Sequence, residues 1–326
     1  MKAIVQDVYG PAGVLRLEEI DPPRIGDDEV LVRVRAAGVD PGVWVLMTGR
    51  PPLVRLMGYG LRRPRQRVRG RDVAGTVEAV GSRVTRFRPG DEVYGTCDRG
   101  SYAEYAAAPE RLLARKPAGL SFEEAAAVPV SGTTALQAVR DAGQVRPGHR
   151  VMVIGAGGGI GTYAVQIAKA FGARVVAVCG PGKADLARSL GADDVIDYTR
   201  EEVDRDGPCH DVIIDVAGCR PISLLRCALT PRGTLVLAGG GHDAPGLLGG
   251  YGRALLHRPL AQLTTKQRLR GLMAEESAEE LGELGGLIES GAVRPVIGSA
   301  HPLADAPAAI EHLAQGHATG KIVITV

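Results

Sequence analysis

Residues 150–161 read Arg-Val-Met-Val-Ile-Gly-Ala-Gly-Gly-Gly-Ile-Gly, a short apolar run followed by five glycines in seven positions. Arg150 to Ile154 is strand-like, the glycines make a tight turn, and the residues from Gly159 onward open a helix. Glycines let the backbone turn sharply and approach a pyrophosphate closely. A helix N-terminus then presents free N–H groups and the positive end of its dipole to the anion. A lone glycine triplet is weak evidence. Its position between a strand and a helix, at the head of a strand–helix–strand unit, is the context that a dinucleotide loop requires. A plain tight turn in an α/β protein is the competing reading.

Beyond this loop the chain alternates strand and helix. Val151–Ile154, Arg174–Cys179, Asp194–Asp197, Asp211–Val216 and Thr234–Ala238 read as short apolar strands, and Gly159–Phe171 and Lys183–Leu190 as helices between them. Such alternation implies a parallel sheet joined by right-handed crossovers. Upstream, residues 1–120 have a different texture. Glu29–Arg35 and Val73–Val80 alternate like strands with one wet face, Pro89-Gly90-Asp91 is a turn, and Glu92-Val93-Tyr94 resumes a strand. This half reads as an antiparallel, barrel-like domain. Ser121-Phe122-Glu123-Glu124 is a capping-box pattern. After about residue 264 a polar helix at Ala278–Ser290 and strands at Val293–Ile297 and Ile322–Val326 are expected, where the chain returns to the first domain. The reading is therefore an α/β protein of two domains, 1–127 with 265–326 and 128–264.

Bulk properties narrow the function classes. The 326 residues are 45% apolar but only 4% aromatic, so the cores must be aliphatic. Lys+Arg is 39 and Asp+Glu is 37, a net charge of +2, which does not suggest a general nucleic-acid binder. The five cysteines, at 97, 179, 209, 219 and 227, form no C-x-x-C pair and argue against a disulfide framework and for a reducing cytoplasm. Neither a signal-peptide core nor a bilayer-spanning apolar run is found, so no membrane partner is expected.

The second strand of the α/β half decides between nucleotides. It ends Ala177-Val178-Cys179-Gly180-Pro181-Gly182-Lys183. An NAD site usually places Asp or Glu there to accept from the ribose 2′-OH. Here no carboxylate would repel a 2′-phosphate, and Lys183 offers a counter-charge, which favours NADPH. Lys183 as a solvated first-turn lysine is the alternative.

At this point the motifs resemble a family, the medium-chain dehydrogenase/reductases, and within it the zinc-free quinone oxidoreductase branch. The resemblance covers nearly the whole chain. It rests on Ala36-Ala-Gly-Val-Asp-Pro41, Gly70-Arg-Asp-Val-Ala-Gly-Thr-Val, Phe87-Arg-Pro-Gly-Asp-Glu-Val-Tyr, Gly132-Thr-Thr-Ala, Gly158-Gly-Ile-Gly and Ser189-Leu-Gly-Ala-Asp-Asp-Val-Ile-Asp-Tyr198. It implies a Rossmann cofactor domain, a doubly wound parallel sheet, beside a GroES-like, mostly antiparallel β catalytic domain. It implies that Gly158, Gly159 and Ile160 meet the pyrophosphate and that Cys179, Lys183 and Tyr198 surround the adenosine 2′-phosphate. Thr134 would approach the nicotinamide. The strand ends near Ala217, Gly218, Ala238, Gly239 and Leu263 would line the ribose and ring, and Lys321 would face the cleft. A homodimer is implied by the same analogy.

The chain also departs from its relatives. Zinc-dependent members need thiolate and imidazole ligands, whereas this chain has Val39-Asp40, Gly70-Arg71-Asp72 and Val128–Gly132 at the corresponding places, and Cys97 alone near the structural lobe. No metal is expected, and the seven histidines show no ligand spacing. Asp40 stands where the quinone oxidoreductases usually carry Asn. It could serve the cofactor or donate a proton, or it could simply cap the turn before Pro41. Trp44 and Tyr59 are candidate pocket residues, with a core or pocket-wall role the plainer reading of Trp44. Gly49–Arg71 holds eight arginines and no acid, interleaved with Leu56, Met57, Tyr59 and Leu61. This stretch reads as a receiver of an acidic or carrier-bound substrate, or as a solvated loop. The expected activity is hydride transfer from NADPH to a small molecule, a quinone or an α,β-unsaturated carbonyl. The rivals are an enoyl-thioester reductase acting on carrier- or CoA-bound chains, a non-catalytic NADPH-binding protein and a zinc alcohol dehydrogenase.

Overall fold

A computed structural model describes residues 1–239 and 266–326. The chain divides into two compact units: Met1–Thr133 with Glu276–Ser290 and Pro295–Val326, and Thr134–Glu275 with Gly291–Arg294.

The first unit opens with β1 (Lys2–Val5) and β2 (Arg16–Glu19), an antiparallel pair. β3 (Glu29–Val39) follows, then α1 (Pro41–Thr48), β4 (Asp72–Val80), β5 (Glu92–Thr96), β6 (Tyr105–Pro109), β7 (Leu113–Arg115) and α2 (Phe122–Ala126). In β3 the side chains of Val30, Val32 and Val34 are buried while Arg33 and Arg35 face water, the period-two pattern of a strand with one wet face. The capping box at α2 forms as the sequence predicts. Ser121 Oγ accepts from Glu124 N at 3.1 Å, and Glu124 Oε2 accepts from Ser121 N at 2.9 Å. α3 (Pro129–Gln137) contains the division between the units.

The second unit alternates β8 (Arg150–Ile154), α4 (Gly159–Ala170), β9 (Arg174–Cys179), α5 (Ala184–Ser189), β10 (Asp194–Asp197), β11 (His210–Asp215), α6 (Ile222–Cys227), β12 (Leu229–Leu237) and β13 (Arg268–Gly271). All its strand pairs are parallel, in the order β10-β9-β8-β11-β12-β13. That is the doubly wound Rossmann order, and it reverses direction between β8 and β11. Met152, Ile154, Val176, Val178, Ile213 and Leu235 pack into one aliphatic cluster, as expected of strands buried on both faces. β13 extends this sheet past residue 264, where the sequence reading returns the chain to the first unit.

The chain then re-enters the first unit with α7 (Ala278–Glu289), β14 (Ile297–Pro302), α8 (Ala306–Ala314) and β15 (Lys321–Thr325). The sheet there runs β14-β15-β3-β4-β5-β7, with β6 also on β3, and every pair but β14–β15 is antiparallel. The strand expected at Val293–Ile297 starts only at Ile297. Pro295 lies inside the expected run and has no N–H for a ladder.

Candidate functional site

In the second unit the glycine turn is built so that few side chains fit. Gly155 takes a left-handed φ of 85°. A Cβ on Gly161 would sit 2.1 Å from the Gly155 carbonyl oxygen, so only glycine lets α4 begin this close to the turn. The N–H groups of Gly155 and Ala156 both donate to Val178 O, at 3.0 and 3.1 Å, tying the turn to β9. The N-cap of α4, Gly158, offers no side-chain cap, which leaves the first-turn N–H groups, among them those of Gly159 and Ile160, for an outside anion. A Cβ on Gly157 would lie 2.6 Å from Lys183 Cδ, so the Lys183 stem crosses directly over the glycine turn.

Cys179, Lys183 and Tyr198 come together at the C-terminal ends of β9 and β10. Cys179 is buried, and burial raises its thiol pKa above the ordinary value. Burial likewise lowers the Lys183 pKa. The Tyr198 N–H donates to Cys179 O at 3.3 Å, and its hydroxyl end lies against Gly180. Arg220, which the sequence reading did not single out, stacks 5.7 Å from the Tyr198 ring centre. Its only sequence signal is a cation on the loop after β11. Ala217, Gly218, Ala238 and Gly239 gather around Asp215 at the ends of β11 and β12. Gly218 N donates to Asp215 Oδ1 at 2.9 Å, and Ala238 N and Gly239 N donate to Asp215 O at 3.0 and 3.1 Å. A Cβ on Gly239 would meet Val216 O at 1.7 Å. Thr134 is buried on α3, and Leu263 lies outside the described residues. The uncapped helix start and the glycine cradle suit the pyrophosphate of a dinucleotide.

A second cluster lies in the first unit. Asp40 caps α1, its Oδ1 accepting from Gly42 N at 2.8 Å, while its buried Oδ2 has no hydrogen-bond partner among the described residues. The cap expected from Asp-Pro is thus present, and the second oxygen remains available. Lys321 Nζ lies 2.7 Å from Asp72 Oδ2 and donates to Ser131 Oγ at 3.1 Å. Asp72 Oδ1 accepts from Val130 N at 2.9 Å. Asp72 is 0% exposed, Lys321 2% and Asp40 3%, so the Lys321–Asp72 ion pair and Asp40 are buried. A Cβ on Gly38 would lie 2.4 Å from Asp72 Oδ2, which is why that strand position is glycine. Burial pushes the Asp40 carboxyl above the ordinary carboxylate range; Lys321 and Arg71 oppose the shift, and Asp72 adds to it. Asp72, Ser131 and Glu276 escaped the sequence reading. The available signal was an acid inside an apolar strand, since a buried carboxylate demands a partner.

Arg71 is paired with Glu276 at 3.1 Å. Cys97 is fully buried, and burial pushes its thiol up to about 12. Among the described residues no group of three or more His, Cys, Asp or Glu side chains is arranged to hold a metal ion. Trp44 packs against the cluster of Val39, Val43 and Met47. Tyr59 is 43% exposed, and its carbonyl accepts from the Tyr9 hydroxyl at 2.9 Å.

Comparison with known proteins agrees with this architecture. Residues 26–118 match the family model for the alcohol dehydrogenase GroES-like domain, and residues 190–324 that for zinc-binding dehydrogenases. The chain is 35% identical to a quinone oxidoreductase of Pseudomonas aeruginosa, over 99% of both proteins. It is 33% identical to a chloroplastic NADPH-dependent alkenal/one oxidoreductase of Arabidopsis thaliana, over 99% of this chain and 79% of that protein. The structure of a quinone oxidoreductase from Coxiella burnetii superposes with a TM-score of 0.86 at 31% identity, over 100% of this chain and 99% of that one. An oxidoreductase is what these relatives and this fold have in common, and the chain belongs to the medium-chain dehydrogenase/reductase superfamily, in its quinone oxidoreductase-like branch.

Proposed function

We propose that this oxidoreductase uses NADPH to reduce a quinone or an α,β-unsaturated carbonyl. The observation that carries the nucleotide choice is the end of β9, where no carboxylate stands and Lys183 crosses the glycine turn beside Tyr198 and Arg220. A 2′-phosphate placed there would meet two cations, while Asp197, which pairs with Cys179 across the sheet, has its Oδ1 engaged by the Thr199 N–H and hydroxyl. The phosphate would also offset the cost of burying the Lys183 ammonium.

Bound NADPH would supply a hydride from the nicotinamide ring; the remaining work belongs to the protein. Gly158, Gly159 and Ile160 would hold the pyrophosphate on the N-terminus of α4. Thr134, Ala217, Gly218, Ala238 and Gly239 would line the ribose and ring. Asp40 would keep a proton on its carboxyl, because burial disfavours the anion, and release it to the reduced acceptor. Lys321, set against Asp72, would then stabilise the carboxylate that remains. Trp44 and Tyr59 are proposed for the acceptor side. The positions that carry zinc ligands in metal-dependent relatives hold Asp40 and an arginine already paired with Glu276. Thiolate and imidazole donors are therefore lacking there, which turns the choice toward conjugated acceptors whose developing charge needs no metal alkoxide.

The test is kcat/KM with NADPH and with NADH across quinones, enones and enoyl thioesters. NADPH should be preferred. Lys183→Ala and Arg220→Ala should each lower kcat/KM for NADPH about 10- to 100-fold, the size of a lost charge-assisted hydrogen bond, and leave NADH unaffected. A preference for NADH overturns the nucleotide reading. Turnover confined to enoyl thioesters, with none on quinones or α,β-unsaturated ketones, assigns the chain to the enoyl-thioester reductase rival and overturns the reading of a free quinone or enone as acceptor.

A further inference from the structure

The loop after α1 exposes large apolar side chains among cations. Leu56 is 64% exposed, Met57 58% and Leu61 65%, and Arg62, Arg63 and Arg65 follow in the exposed part of the same loop. These three arginines make no ion pair among the described residues, whereas nearby Arg67 is paired with Asp7 and Glu18. The loop is held in shape. The Tyr9 hydroxyl donates to Tyr59 O and Gly60 O at 2.9 and 2.6 Å, Arg65 N donates to Tyr59 O at 2.8 Å, and Pro64 is buried. Arg55 is stacked 4.4 Å from the Tyr9 ring centre and helps to fix the base of the loop. The apolar side chains are therefore presented outward and have not folded back onto the core.

We propose that this loop docks on an anionic lipid surface, with Leu56, Met57 and Leu61 entering the acyl boundary and Arg62, Arg63 and Arg65 holding the lipid phosphates. Apolar side chains beside a cluster of arginines, with no acid from residue 49 to 71, form the pattern that binds a membrane interface. A protruding apolar tip suits a deformable bilayer, which needs no complementary groove. A second copy of the chain would bring the same cations face to face across a two-fold axis and be repelled. A free small anion would leave the apolar side chains in water. No described helix is long and apolar enough to cross a membrane, so the contact is peripheral. This inference departs from the sequence expectation of no membrane partner; it does not rest on which acceptor is reduced, although Tyr59 of the same loop is proposed for the acceptor side.

The test is co-sedimentation of the intact protein with phosphatidylcholine vesicles, with and without phosphatidylglycerol. The protein should pellet with the phosphatidylglycerol vesicles, stay in solution with phosphatidylcholine alone, and lose its binding as salt rises. The triple variant Arg62→Glu/Arg63→Glu/Arg65→Glu should bind at least about a hundredfold more weakly. The triple variant Leu56→Ser/Met57→Ser/Leu61→Ser should bind at least about tenfold more weakly, even at low salt. Unchanged circular dichroism and thermal unfolding verify that both variants fold. Equal partition onto the two vesicle types overturns the proposal. Full binding by the serine variant overturns it too, since the arginines alone would then explain adsorption. Retention by an acidic acyl carrier protein in place of vesicles assigns the loop to a protein partner and likewise overturns it.

Discussion

Asp40 and Lys321 show how much a few buried charges decide in this molecule. Asp40 has one oxygen spent on the α1 cap and one buried without a partner. Its raised pKa means that the native state holds its proton above the ordinary value of 3.8, where the unfolded chain has released it. Between those two values the folded state binds more protons, so the contribution of Asp40 to stability falls as pH rises. Asn keeps the cap and has no proton to lose. Asp40→Asn should therefore leave Tm nearly unchanged at about pH 4 and raise it relative to the parent at about pH 8, measured by thermal unfolding across that range. A Tm difference independent of pH would show that Asp40 is an ordinary ionised carboxylate. Lys321 presents the opposite case. Lys321→Met would strand the Asp72 carboxylate at 0% exposure, beside a single backbone N–H donor. Loss of one partner of a buried pair costs about 3–5 kcal/mol. Denaturant unfolding should show a loss of that size, and the double variant Asp72→Asn/Lys321→Met should recover much of it. Equal losses in both would mean that the pair is held by packing and not by charge.

Among the elements, the β8–turn–α4 unit was the most legible from sequence, because each of its requirements is local. Apolar residues mark the strand, glycines mark the turn, and the helix begins where the glycines end. Geometry then explains which glycine matters most. The alanine methyl of Gly161→Ala would overlap Gly155 O, so the helix start must move away from the turn. Gly161→Ala should destabilise the protein by about 1–3 kcal/mol, the usual cost of overpacking. It should also weaken dinucleotide binding in titration calorimetry, whereas Gly182→Ala, where a Cβ would meet nothing, should do neither. Equal affinity of the two variants would remove the turn from the binding site. Less legible elements fail for physical reasons. β13, the last strand of its sheet among the described residues, reads Arg-Leu-Arg-Gly and buries only Leu269, so its apolar signal is a single residue. β14 begins later than the apolar pattern around Val293 suggests, because that pattern runs through Pro295, which has no N–H for a ladder. The Lys321–Asp72 pair joins β15 to β4, two strands far apart in the chain, and no local pattern announces such a partner.

At the scale of the whole molecule, each unit has its own aliphatic core. One core contains Val30, Val32, Val73 and Val93, and the other Met152, Val176, Ile213 and Leu235. The two large sheets share no strand among the described residues. Every residue proposed for the pyrophosphate and the 2′-phosphate belongs to the second unit, whereas Asp40, Asp72 and Lys321 belong to the first. A ligand that binds only native protein stabilises what it binds by RT ln(1 + [L]/Kd), about 2.7 kcal/mol at a hundredfold excess over Kd. For a unit of this size that corresponds to a shift of about 5–10 °C in unfolding temperature. Scanning calorimetry with saturating NADPH should therefore separate two transitions. The transition carrying the second unit should move up by that amount, and the other should stay in place. NADH at the same concentration should move it less, for want of a 2′-phosphate to meet Lys183 and Arg220. A single transition that moves as a whole would show that the units unfold together. A shift of equal size with both nucleotides would remove the 2′-phosphate from the end of β9.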